Sequence, residues 1–133
     1  MEYAIGVVLA LAVCVSATLL GLDRDRAFYP TVLIVIASYY ALFAVMGGSA
    51  RALALESAVI AVFLAAAVVG FKRSLWLVVG GLVAHGVFDF VHGDLIANPG
   101  VPAWWPPFCL AYDVVAGAYL AWVLIWRKPR AAV

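Results

Sequence analysis

Residues 75–92 read Leu75-Trp-Leu-Val-Val-Gly-Gly-Leu-Val-Ala-His85-Gly-Val-Phe-Asp89-Phe-Val-His92. Apart from His85, Asp89 and His92 the stretch is apolar or glycine. As a helix rising about 1.5 Å per residue it crosses most of a roughly 30 Å hydrocarbon core. The three exceptions stand at i, i+4 and i+7, within an arc of about 60° on an α-helix, so they share one stripe. Ionisable groups inside an apolar span are costly and by default mark function. This stretch therefore points both to a membrane-spanning helix and to a polar seam along one side of it.

The rest of the chain agrees with a bilayer as solvent. Of 133 residues, 68% are hydrophobic and 11% charged. A soluble domain of this length has too little interior to hide that much apolar surface. The formal net charge is +1, and no basic patch points to nucleic acid. Cys14 and Cys109 lie far apart in apolar stretches, without a CxxC motif or a disulfide framework.

Five stretches have the length and apolarity of a span: about 3–22, 30–46, 52–71, 75–92 and 108–126. They predict an all-α, single-domain membrane bundle over residues 1–133, with a loop at 93–107. The first span has no basic n-region before it and reads as a retained helix rather than a cleaved signal. Its Gly6, Ala10, Cys14, Ala17 and Gly21 form a small-residue stripe suited to close helix packing. Gly80 and Gly81 read as packing points on the fourth span. Asp23-Arg24-Asp25-Arg26 reads as a solvated turn. Four prolines, two glycines and the Trp104-Trp105 pair argue against a regular helix through 93–107.

With five spans, Arg24, Arg26, Lys72, Arg73, Arg127, Lys128 and Arg130 fall on one side and Arg51 alone on the other. The positive-inside rule then predicts a cytoplasmic C-terminus and an outside N-terminus for a multi-pass membrane protein. Trp104 and Trp105 come to lie at the outer headgroup level, where tryptophan is favoured. They read as an interfacial belt or as a lid that grips a lipid.

Rise per residue places Glu56, His85, Asp89, His92 and Asp113 in the outer half of the membrane. The expectation is one polar cavity formed by spans three, four and five and open to the outside. Two imidazoles with carboxylates suit a divalent metal, zinc above all. His85, Asp89, His92 and Asp113 are the expected ligands. Asp113 and Glu56 are the candidates for proton transfer. His85 matches Asp113 in depth better than His92 does, and His92 matches the mouth. Trp104, Trp105, Asn98 and Tyr39 are the candidate substrate or lid residues. A structural hydrogen-bond network among helices is the alternative for the polar groups.

The residues HGVFDFVH, NPGVPAWWPPFC and the intramembrane Asp113 resemble a family of small, uncharacterised bacterial inner-membrane proteins, a resemblance covering spans four and five and implying no activity. A more distant likeness is to intramembrane metal hydrolases of the alkaline ceramidase type, which hold zinc through histidines and an aspartate on membrane helices. Those have seven spans, three histidine ligands and a serine and histidine on an early helix. No catalytic residue transfers to a chain with five spans and two histidines. The expected function is a metal-dependent hydrolase or lipid-modifying enzyme. The alternatives are a proton- or metal-ion-coupled transporter subunit and an accessory or ligand-binding subunit. Membrane lipids are the expected partners, as a homo-oligomer or within a larger membrane complex.

Overall fold

The computed structural model describes residues 1–126, and they form an all-helical bundle of five helices. These are α1 (Glu2–Leu20), α2 (Phe28–Met46), α3 (Ala50–Lys72), α4 (Leu75–Leu95) and α5 (Trp105–Trp126). All five are long and apolar enough to cross a membrane, as expected of a multi-pass membrane protein. The basic tail Arg127, Lys128 and Arg130 lies outside the described residues.

Side-chain caps mark the starts of α3 and α4, whereas α1 and α2 begin without one. Ser49 caps α3 by accepting from the Ala52 amide at 3.1 Å, and Ser74 accepts from the Trp76 amide at the start of α4. Gly21 ends α1 in the left-handed conformation, at φ 76°, where a Cβ would be strained. Two boundaries differ from the sequence expectation. The helix of His92 runs on through Gly93 and Asp94 to Leu95, and α5 begins at Trp105, so Pro106 and Pro107 lie in its first turn. Proline is tolerated there because the first amides of a helix have no intrahelical acceptor. The connection therefore shrinks to residues 96–104.

Helix α5 packs between α1 and α4; α3 packs on α2 and α4, and α2 also touches α4. Gly6, Ala10, Cys14 and Ala17 are all buried on α1. A Cβ on Gly6 would press into α5 at Ala111 and the Tyr112 amide, so glycine is what lets α1 and α5 approach there. On α4 the close-packing glycines are Gly81, against Leu33, and Gly86, against Asp113 and Leu110; Gly80 faces open space. The first loop is less solvated than its charges suggest. Asp23 is buried and accepts from the Thr18 hydroxyl at 2.7 Å, and Thr18 in turn accepts from Tyr119. Arg26 donates to the carbonyls of Gly70 and Phe71, satisfying the open end of α3.

Candidate metal centre

The polar seam of α4 divides into two. His85 and His92 lie seven residues apart on one helix, about 10 Å along its axis, too far to share a single partner. Each takes a carboxylate from a different neighbour. His85 Nδ1 lies 2.7 Å from Asp113 Oδ2 on α5 and 3.2 Å from Asp89 Oδ2 one turn along α4. His92 Nε2 lies 2.7 Å from Glu56 Oε1 on α3. An ionised carboxylate only accepts, so with the acid ionised the imidazole presents an N–H to it, and with the acid protonated the ring nitrogen accepts.

Around His85 a third type of donor appears. His85, Asp89, Cys109 and Asp113 each place one ligand atom so that all four lie within 4.8 Å of one another, and all four residues are buried. This group can hold a metal ion. Cys109 reaches it because it sits one turn before Asp113 on the same face of α5. That i−4 spacing is visible in the sequence, but a small residue in an apolar span reads first as packing. Gly86 completes the geometry: a Cβ there would stand 3.3 Å from that of Asp113, so its absence lets α4 and α5 close on the group. Asp113 Oδ1 accepts no hydrogen bond among the described residues, and Asp89 Oδ2 has only the His85 contact at 3.2 Å. A buried acceptor left in that state is destabilising unless a proton or a cation meets it.

His92 lies outside this four-residue group and belongs with Glu56. Glu56 does not snorkel: it is fully buried on the inward stripe of α3 with Ala52, Phe63, Ala67 and Gly70. Its Oε1 also accepts from Asn98 Nδ2 at 2.9 Å. Asn98 donates as well to the Tyr40 carbonyl at 3.1 Å and accepts from the Gly100 amide at 3.2 Å, so it pins the 96–104 loop onto α2 and α3. Asp94, by contrast, is exposed.

Tyr40 joins the halves. Its hydroxyl donates to Asp89 Oδ1, and its ring stacks on His92 with centroids 4.2 Å apart. Of the adjacent tyrosines it is Tyr40 that faces inward, on the buried stripe of α2 with Leu33, Ala37 and Ala44. Tyr39, the candidate named from sequence, is partly exposed and lies against Trp105 at 5.0 Å.

The expected open cavity on spans three to five is instead an enclosed network with α2 as a fourth contributor. Phe63 and Phe88 pack edge-on against His85 and His92, and with the Tyr40 ring they close it. The tryptophan pair also divides. Trp105 is buried against Tyr39 and Phe43 one turn before Cys109, whereas Trp104 is half exposed. Two recesses flank the network. One, of about 430 Å³, is bounded by His92, Asn98 and the loop prolines. The other, of about 360 Å³, is an apolar cleft between α1, α2 and α5 with Cys109 in its wall. No protein family, curated protein or solved structure matches this chain, so the site stands on its own geometry.

Proposed function

We propose that the protein is a metal-dependent membrane enzyme that hydrolyses or otherwise modifies a membrane lipid, with zinc as its ion. One observation carries this: a nitrogen, a sulfur and two carboxylates gather within 4.8 Å, all buried, with Asp113 Oδ1 accepting no hydrogen bond among the described residues. Zinc bonds of about 2.0–2.3 Å imply donors roughly 3.3–3.8 Å apart in a tetrahedron, so shifts of about 1 Å suffice for the group to close on an ion. Mixed nitrogen, sulfur and oxygen ligation suits zinc better than magnesium or calcium, which prefer oxygen alone.

When bound, the ion supplies Lewis acidity and acidifies water at neutral pH. The protein's own residues supply the rest. Tyr40 orients Asp89 through its hydroxyl. Glu56 and His92 form a hydrogen-bonded pair toward the loop, held by Asn98, and can accept and pass on a proton. A transport path requires polar groups through the whole membrane thickness. The ionisable residues buried within the helices, Glu56, His85, Asp89, His92 and Asp113, are instead gathered in one connected network. That distribution favours a reaction site.

The orientation we infer has the N-terminus outside, the C-terminus cytoplasmic and the bundle in a bacterial inner membrane. Among described residues it rests on Arg24, Arg26, Lys72 and Arg73 at one end against Arg51 at the other. One experiment addresses both points. In sealed right-side-out vesicles an impermeant chelator added outside is expected to abolish turnover of ester- or amide-linked lipids, followed by lipid mass spectrometry. In inside-out vesicles the same chelator should leave turnover intact. Chelator-insensitive turnover, or none, would contradict the chemistry; the reverse sidedness would contradict the orientation.

A further inference from the structure

We infer that the cleft between α1, α2 and α5 seats one acyl chain of the lipid on which the site acts, a proposal that rests on the metal chemistry above. The walls are Leu9 from α1, Val32, Val35 and Ile36 from α2, and Phe108 and Cys109 from α5. On α2 the lining runs from Phe28 to Tyr39, twelve residues, or about 16 Å. The cleft is half open and is bounded by residues of three membrane-span-like helices. Its volume of about 360 Å³ falls in the range of small-molecule sites, about 300–1,000 Å³. The walls are mostly apolar, with Thr31, Tyr39, Trp105 and Tyr112 as their few polar carriers, and water is held well only where several polar partners converge. In a bilayer the available filler is hydrocarbon chain.

Two features separate this cleft from an ordinary lipid-facing groove. Cys109 belongs both to its wall and to the four-residue group, so a chain lying in the cleft comes up against the metal-capable centre from its apolar side. Tyr39 and Trp105 also line it, their rings 5.0 Å apart. Both are amphipathic aromatics of the kind that sit where chains meet headgroups. A lipid placed this way has its chain along α2 and its polar linkage near Trp105 and Cys109. The recess at His92 and Asn98 borders the opposite side of the network.

The test uses a phospholipid with a diazirine in its acyl chain, in nanodiscs, with crosslinks mapped by peptide mass spectrometry. Labelling is expected to saturate and to concentrate on Leu9, Val32, Val35 and Phe108. Leu9 and Val35 are partly exposed wall residues, so Leu9→Trp with Val35→Trp fills the cleft rather than the core. This pair should cut cleft labelling about tenfold, equivalent to about 1.4 kcal/mol of binding, while metal content stays unchanged. Label spread evenly over lipid-facing positions such as Trp122 and Ile125, or untouched by the tryptophan pair, would overturn the seat. Cleft labelling in a protein that cannot be loaded with metal would keep the seat and remove the enzyme. Even labelling of a metal-bearing protein would do the reverse.

Discussion

Asp113→Asn protein is expected to fold normally and to purify without metal. The substitution keeps the volume and an oxygen that can accept from His85, so the α4–α5 contact survives. What it removes is the negative charge facing the group. Interhelical hydrogen bonds in membranes contribute about 0.6 kcal/mol on average and about 1.7 at most, so a purely structural role predicts a small loss of stability and nothing else. A bound ion predicts a different pattern. A ligand at a hundred times its dissociation constant stabilises by about 2.7 kcal/mol. Wild-type protein in detergent should therefore melt lower after chelation and recover when zinc is returned. Asp113→Asn should melt near the chelated wild-type value and respond to neither treatment. Equal sensitivity of the two proteins would remove Asp113 from the ligand set.

The second large effect is expected from Gly86→Leu. A Cβ at this position already meets the Asp113 Cβ and the Leu110 carbonyl at 3.3 Å, and Leu adds a branched chain beyond it. Forcing extra atoms into a packed contact is destabilising by about 1–3 kcal/mol, sometimes more. Here the displaced element carries Cys109 and Asp113. Melting temperature and metal content should fall together. Gly80→Leu, six residues earlier on the same helix, is the control. A Cβ at Gly80 meets nothing within 4 Å, and leucine is the better helix former. Its stability should stay within about 0.5 kcal/mol of wild type. Similar losses from both variants would show that helix chemistry, not closure at the site, sets the effect.

The contrast between these glycines shows what the sequence could and could not say. Five apolar stretches announce five helices because the signal needs only composition over about twenty residues. The α4 seam was equally legible, since i, i+4, i+7 fixes a shared face without knowledge of any neighbour. What each seam residue meets depends on how neighbouring helices rotate and slide, and local pattern carries little of that. Hence Glu56 takes His92 while Asp113 takes His85. Tyr40 rather than Tyr39 turns inward, and Gly86 rather than Gly80 meets α5. Cys109 was hidden for another reason. A thiol is a small apolar side chain until a partner helix brings imidazole and carboxylate to it. The start of α5 was obscured by Pro106 and Pro107, which mark a helix end or a helix beginning equally well.

The thiol also gives the sharpest test of whether His85, Asp89, Cys109 and Asp113 hold an ion. X-ray absorption at the zinc edge of the purified, zinc-loaded protein resolves sulfur from nitrogen and oxygen in the first coordination shell. The predicted spectrum has one sulfur at about 2.3 Å and nitrogen or oxygen neighbours at about 2.0 Å, and the sulfur contribution vanishes in Cys109→Ser. A shell without sulfur in the wild type, or a protein that takes up no zinc at neutral pH, would contradict the metal centre and leave the His–carboxylate pairs as a structural network.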